Sequence, residues 1–596
     1  MRDSFYKLFI LLSLILLTPL YSFESLELQK LAQESYWSKL LHFNEVSSIN
    51  SRDFFLSTDK EITPYGELTS TLEAFRADPA LICKYPARYK WLNSKLKLNI
   101  KHSKCEKLDM FLAHKFEKIS MVFTSERYNS SASVFGHTFL KLSGRENSFV
   151  IDYTAKVPDN VNGLSYAYNG IFGGYKSSYK FSSFMLKEYE YTNEEFRDLI
   201  TFDLNFSKDE IENIMLHLYE VLETRQDYYF LSRNCSSELI KLLDLGREEL
   251  SLSKELALVT LPIEVVYILE KNNYINKISI TPSKIRLFNS LTSTLSKKET
   301  ELLKKIVTKE IGVHYLRDTK EISDVQKKKI VSAGISYIEI DSLSDDFDKS
   351  LVYPLMKLIK LQEVYGYELA LNDEVLSEIP ISNKYHQLRL GGVAGDIQDS
   401  YVNLDYRYLY RHRFDLLDSV EKHGSVEFLD LSLRVKNKEL ELNYLTFFNL
   451  ESLPISTDYF FTPTKTVQIG LKRVFYDENI YSYFNYSLGY RRELAKNLTY
   501  HLSAKVGLYY YDKPSAMAQA GAYLEYNNIE DFNLQLAYES SCFYNAVDEY
   551  KYMKTERFLI KTNIAILDNY RINLFISHER DIEIYNRFGI KYSLNF

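Results

Sequence analysis

A cysteine that opens a helix and a histidine set in an apolar strand are the two residues of this sequence best suited to covalent chemistry. Cys235 lies in Tyr228-Tyr229-Phe230-Leu231-Ser232-Arg233-Asn234-Cys235-Ser236-Ser237-Glu238-Leu239. Asn234 is a favourable N-cap, Leu239, Ile240, Leu242 and Leu243 follow at helical spacing, and Gly246 can close the helix. Cys235 then falls in the first turn, where the helix dipole and unpaired backbone N–H groups favour thiolate over thiol. The ordinary fate of an isolated cysteine is to be buried and inert, or disulfide-bonded. His137 stands in Asn129-Ser130-Ser131-Ala132-Ser133-Val134-Phe135-Gly136-His137-Thr138-Phe139-Leu140-Lys141-Leu142, directly after a glycine that permits close backbone or ligand approach. Its ordinary reading is a hydrogen-bonded core histidine.

A third polar residue, Asp152, follows in Ser148-Phe149-Val150-Ile151-Asp152-Tyr153. A tight turn centred on Arg145-Glu146 sets Phe139 opposite Asp152 and His137 opposite Thr154. His137 and Asp152 are then diagonal neighbours on one sheet face, and the carboxylate can orient the imidazole. A change of one residue in the loop reverses that face. The chemistry expected of this trio is proton withdrawal from Cys235 by His137 and thiolate attack on an acyl carbonyl. Asn234 and Ser236, at the helix start, are expected to cap the helix and supply oxyanion contacts. His42, His114 and His217 read as structural or surface residues. Four cysteines without paired Cys-x-x-Cys spacing give no zinc signature, so no metal and no cofactor is expected.

These residues need elements to hold them. Residues 23–120 read as mostly helical, with Trp37–Phe43 an early amphipathic piece. Strands are expected at Met121–Phe123, Ser133–Leu142 and Ser148–Tyr153, inside a catalytic part spanning 121–250. From about 207 the period turns helical, with Ile211, Ile214, Met215, Leu218, Val221 and Leu222 on one buried face. Helical patterns continue through 255–375, residues 286–385 form a helical connecting region, and Lys327-Lys328-Lys329 reads as a solvated face.

After about residue 386 the pattern changes to long alternating strands. Leu498, Tyr500, Leu502, Ala504, Val506, Leu508 and Tyr510 alternate with Thr499, His501, Ser503, Lys505, Gly507 and Tyr509. Phe532, Leu534, Leu536 and Tyr538 alternate likewise with Asn533, Gln535, Ala537 and Glu539. One lipid-like and one polar face is the pattern of a transmembrane barrel with a wet lumen. About twelve such runs are present, each near the ~9–11 residues that cross a bilayer at a tilt. The last run places Phe588, Ile590, Tyr592, Leu594 and Phe596 on one face, and a strand ending on an aromatic resembles the insertion signal of barrel proteins.

The first 22 residues read as a secretory signal: Arg2 and Lys7, an apolar Leu8–Leu17, then Pro19 and Ser22. An even strand count puts both barrel ends, and the preceding domain, on the periplasmic side. The expected location is therefore the outer membrane, with the N-terminal domain in the periplasm. A net charge of −7 without a basic aromatic patch argues against nucleic acid as a partner. The 49 tyrosines suit strands and the membrane–water interface. In an exported protein, Cys83 and Cys105, close in sequence and similar in context, are the expected disulfide. Cys542 lies in an expected barrel strand.

The order of histidine on a strand, polar residue on the next, then Asn-Cys at a helix start resembles the circularly permuted papain-like fold of NlpC-type peptidases and lecithin:retinol acyltransferase relatives. More specifically, residues 23–285 contain a region, 30–285, that resembles the Lnb N-terminal periplasmic domain family. The motifs are Trp37–Phe43, Pro86-Ala87-Arg88-Tyr89-Lys90-Trp91-Leu92, Ser131–His137 and Tyr228–Cys235. The resemblance implies that Cys235 and His137 match the family's catalytic pair, in a family named for an enzyme that acylates the N-terminus of bacterial lipoproteins. The expected architecture is thus an α+β permuted papain-like periplasmic domain, a helical region, and an all-β transmembrane barrel over 386–596. The leading expectation is a thiol acyltransferase or lipase-like enzyme that forms an acyl-thioester on Cys235 and passes it to an amine or water. Its expected partners are outer-membrane lipids, a lipoprotein, phospholipid or peptidoglycan substrate, and the barrel-insertion machinery. Phe172, Tyr175, Tyr179, Phe181 and Phe184 are candidates to line an acyl site, although such residues are more often plain core. The alternatives are a cysteine peptidase or amidase acting on peptidoglycan, and a non-enzymatic barrel, either a porin or an export or assembly component, with an accessory domain.

Overall fold

The structure, a computed structural model, describes residues 26–124, 136–158, 161, 163–257, 259–344, 347–367, 386–395, 400–411, 424–473, 479–528, 532–545, 552–567, 570–580 and 584–595. The expected leader at 1–22, the strand start at Ser133–Phe135 and the terminal Phe596 lie outside these residues. Two units are distinguished, one ending at Arg286 and the other beginning at Leu287.

The first unit is α+β. Its sheet has seven strands: β1 (Lys118–Thr124), β2 (His137–Ser143), β3 (Ser148–Ala155), β4 (Tyr175–Ser183), β5 (Leu199–Leu204), β6 (Gln226–Tyr228) and β7 (Ile275–Thr281). They lie in the order β6-β4-β3-β2-β1-β5-β7, every pair antiparallel. β1 is an interior strand, buried at all but its first residue, as a near-continuous apolar run requires. β2 and β3 pair with Leu140 opposite Ile151 and Ser143 opposite Ser148, the register of a turn centred on Arg145-Glu146. β7 departs from the helical pattern expected of 255–375. Ile278 and Ile280, on one side of Ile275–Thr281, are β-branched and pair with β5 at the edge of the sheet.

Helices cover the sheet. Lys208–Val221 starts with a capping box between Ser207 and Glu210 and buries Ile211, Ile214, Met215, Leu218 and Val221. Ahead of the sheet, Thr63 caps Pro64–Ala77 and a helix spans Pro86–Leu96. Trp37 stacks on Trp91 at 5.5 Å and donates to the Pro64 carbonyl at 2.8 Å. Arg88, with no exposed side-chain surface, bonds Glu67 at 2.7 Å, lies 3.4 Å from Glu220, and sits over the Phe54 ring. Cys83 and Cys105 are disulfide-bonded, which ties the segment after Pro64–Ala77 to the helix Glu106–Leu112.

The second unit begins with helices that have a core of their own, built on Leu303, Ile306, Leu316, Ile330, Val331 and Ile338. Here the expected solvated lysine run is corrected at one position. Lys327 is buried, its ammonium lying over the Tyr365 ring at 5.3 Å, because a lysine stem can cover apolar surface. Twelve antiparallel strands, from Gln387–Gly395 to Ile584–Asn595, then close into a barrel, the last pairing with the first. Leu502, Val506, Leu508, Phe588, Ile590 and Tyr592 are exposed on its outside, while Thr499, His501, Arg587 and Ser593 are buried within. The strands run from 9 to 16 residues, so several exceed the length needed to cross a bilayer.

Candidate active site

Asn234 sets the local geometry. Its side-chain oxygen accepts from the N–H groups of Ser236 and Ser237, at 3.0 and 3.1 Å, and starts the helix Cys235–Leu243. Its amide nitrogen donates to the carbonyls of Phe230 and Thr260, so every polar atom of this buried side chain is used. Asn234 therefore acts as the cap. The Ser236 N–H is spent on that cap and is not free for an oxyanion, which corrects the role expected of Ser236. Its hydroxyl instead bonds the Thr138 hydroxyl at 3.0 Å and lies 3.6 Å from the Cys235 sulfur. The Cys235 N–H donates to the Tyr228 hydroxyl at 3.3 Å.

His137 begins β2 beside this helix start. Gly136, with φ of +78°, turns the chain into the strand, and a Cβ there would lie 2.6 Å from the Phe123 ring. His137 Nε2 donates to Asp152 Oδ1 at 2.8 Å, which leaves Nδ1 for the thiol. The second Asp152 oxygen lies 3.4 Å from Lys187. Tyr191 stacks on the imidazole at 6.1 Å, and 16% of the His137 side chain remains exposed.

Electrostatics favour the charged pair. Burial opposes ionisation of Cys235, yet His137, the Thr138 N–H and Ser236 outweigh it and bring the thiol down to about 7. Burial likewise opposes charge on His137, but Cys235 and Asp152 raise it to about 10. For Asp152 burial is again overcome, by His137 and Lys187, and the carboxyl is held below its usual range. A thiolate facing an imidazolium is the state this arrangement favours near neutral pH.

The structure thus brings Cys235, His137 and Asp152 together, with Asn234 and Ser236 behind them. It adds Tyr228, Lys187 and Tyr191. Tyr228 was in the motif around Cys235, but nothing in its spacing told that its hydroxyl would turn back onto the Cys235 N–H. Lys187 and Tyr191 come from a segment without any motif. The aromatic residues offered for an acyl site do not gather into one. Tyr175, Tyr179 and Phe184 are buried, and Phe181 stacks on Phe149 at 5.0 Å. Only Phe172 of the five is exposed, at the end of the helix Gly163–Phe172. His42 and His217 form a buried pair with 2.9 Å between their Nε2 atoms, and His114 is at the surface. Cys83, His102 and Cys105 also lie together, but both sulfurs are joined in the disulfide and are not free to ligate a metal.

Three family profiles match separate parts of the chain. Residues 111–272 match the Lnb N-terminal periplasmic domain, and residues 29–95 and 382–593 match two domains of unknown function, DUF7843 and DUF7840. Comparison with curated proteins gives no match. Among solved structures, a loop L8 deletion mutant of OmpT, an outer membrane protein of Vibrio cholerae, is 8% identical with a TM-score of 0.21, over 35% of this chain and 97% of that one. The NanC porin is 10% identical with a TM-score of 0.25, over 35% and 100%. The beta domain of the Bordetella autotransporter BrkA is 11% identical with a TM-score of 0.23, over 35% and 98%. The chain thus combines, in one outer-membrane protein, a periplasmic domain of the Lnb N-terminal family at residues 111–272 and a C-terminal twelve-stranded antiparallel β-barrel.

Proposed function

We propose that the periplasmic domain is a permuted papain-like thiol enzyme that transfers or hydrolyses acyl groups, with Cys235 as nucleophile. The observation that carries this reading is the cysteine at a capped helix start beside a histidine held by a buried carboxylate. In the first step the Cys235 thiolate attacks the carbonyl of an acyl ester. The tetrahedral oxyanion accepts from the Tyr228 hydroxyl, whose oxygen the Cys235 N–H holds in place. As the carbonyl re-forms, the ester C–O bond breaks and His137 gives its proton to the departing alkoxide, leaving a thioester. In the second step His137 takes a proton from an amine or water as it attacks the thioester, and keeps it as the C–S bond breaks and the thiolate departs, which restores the ion pair. Asp152 holds the imidazole in the orientation both steps need.

An acyl substrate fits the surroundings better than a polar peptide. Tyr168, Ile171 and Phe172 are exposed on the helix Gly163–Phe172, whose Gly170 packs against Phe230 of the cysteine loop. Met185, Leu186 and Tyr189 are exposed on the helix Phe184–Tyr189, which also carries Lys187 to Asp152. Exposed apolar side chains of this number favour a lipid acyl chain, from phospholipid or lipoprotein, over peptidoglycan.

The barrel favours a second reading, in which the chain is a channel with an accessory domain and Cys235 does no chemistry. Its support is a polar lumen that encloses a cavity of about 570 Å³. Intact-protein mass spectrometry after incubation with phospholipid vesicles in mild detergent separates the two. A fatty-acyl adduct on the wild type, absent from Cys235→Ala and released by neutral hydroxylamine, establishes the thioester. A Cys235 that neither acquires an adduct nor reacts with a thiol probe in the native protein overturns the enzyme reading and leaves the channel.

A further inference from the structure

The lumen cavity has a direction. Its lining includes Tyr401, the first residue of its strand, Arg473, the last of Thr464–Arg473, and Tyr509, next to last of Leu498–Tyr510. The first barrel strand starts from the periplasmic side, so the end at which it finishes faces outward. By the alternation of antiparallel strands, these three positions all lie at that outward end. Towards the opposite end, described inward side chains pair with one another. Gln387 and Asn595 bond at 2.9 Å, Arg491 and Glu525 at 3.1 Å, and all four are at most 1% exposed. The cavity is therefore an outward pocket with paired, buried polar side chains beneath it.

Its charges are unevenly matched. The lining carboxylates are committed to other groups. Glu579 holds Arg557 at 2.9 Å and Arg587 at 3.5 Å, and Asp430 holds Arg389 and Arg407 at 2.6 and 2.8 Å. Glu539 accepts from Tyr523 at 2.8 Å and lies 3.6 Å from Arg557. Lys472 and Lys505, both in the lining, form no ion pair with a carboxylate among the described residues. Glu539 attracts both lysines, and Glu451 attracts Lys505, only from beyond ion-pair distance. The Lys472 ammonium rests on the faces of Tyr483 and Tyr509, at 5.0 and 5.1 Å. A cation resting on aromatic faces without a carboxylate in contact gives up little on meeting an anionic oxygen.

We propose that this outward pocket binds small oxyanions, carboxylates or phosphates, between Lys472 and Lys505. The inference deepens the channel reading by naming a solute class, and it stands apart from the thiol chemistry. The test is calorimetric titration of the full-length protein, folded in detergent at low ionic strength, with citrate and with inorganic phosphate. Saturable binding is expected with at least one of them, weakened by added salt and at least tenfold weaker in Lys472→Gln/Lys505→Gln. The charge-preserving Lys472→Arg/Lys505→Arg should retain it. Heat-modifiable migration on gels checks that each barrel is folded. Which of the two anions binds tells carboxylate from phosphate recognition. No saturable binding by the wild type, or equal affinity in the glutamine variant, overturns the proposal. Current across planar bilayers is measured separately: silence there with binding intact sinks the channel reading and leaves the site standing.

Discussion

At the scale of single residues, the site divides into groups that make charge and groups that receive it. Cys235 at about 7 and His137 at about 10 define a window in which sulfur is thiolate and imidazole is protonated. The thiol's lowered value means that the reactive form is gained as pH rises through about 7. The histidine's raised value means that its proton is kept until about 10. Alkylation of Cys235 by iodoacetamide should accordingly rise through about pH 7 and then level off. In His137→Ala the curve should shift well upward, since burial then acts on the thiol without its main opposition. An unshifted curve would show that His137 does not activate the sulfur. Tyr228 makes a separate prediction. Its hydroxyl, held by the Cys235 N–H, is the donor beside the sulfur, so Tyr228→Phe should slow acyl-adduct formation by about 100-fold. Cys235 alkylation should stay near the wild-type rate. Equal losses in both assays would mean that the hydroxyl supports the fold and not the oxyanion.

At the scale of elements, two joints hold the site. Gly136 is the hinge into β2: its positive φ, and a Cβ position 2.9 Å from the Thr124 carbonyl, leave no space for a side chain. Gly136→Ala should cost about 2 kcal/mol or more and misplace His137, read as lost unfolding free energy together with lost alkylation rate. The second joint is Arg88, which links Pro86–Leu96 to Glu67 and to Glu220 on the sheet-covering helix. Burial raises Glu220 to about 7 even with Arg88 beside it. Removing the guanidinium strands Glu67 and Glu220, and Arg88→Met should destabilise the unit by about 3–5 kcal/mol. Much of this was legible in sequence, for physical reasons. The helix at Cys235 was visible because capping is local chemistry, and the β2–β3 register because a short hairpin fixes it. β7 was not, because an edge strand with little burial resembles a loop after a helix. Nor were Lys187 and Tyr228 as site residues, since what they touch depends on packing across the fold.

At the scale of the whole molecule, the two units rest on different physics. The barrel is closed by strand pairing all round and faces lipid with its apolar side, so its backbone has no unpaired edge to lose first. This was the part most legible from sequence, because alternation over a dozen strands repeats one signal many times, whereas the periplasmic fold depends on contacts such as Arg88–Glu220 that no period announces. The periplasmic unit depends on an apolar core, buried ion pairs and one disulfide, which are vulnerable to denaturant and reductant. Both tryptophans of the chain, Trp37 and Trp91, stack together inside that unit, so intrinsic tryptophan emission reports on it alone. Urea titration of the full-length protein in detergent should therefore show the tryptophan transition first, while the barrel still migrates as a folded, heat-modifiable species. Reducing Cys83–Cys105 should move only the tryptophan transition, by about 2–4 kcal/mol, because the bond closes a loop confined to that unit. A single transition shared by both readouts would show that the two units fold as one, and the disulfide would then shift both together.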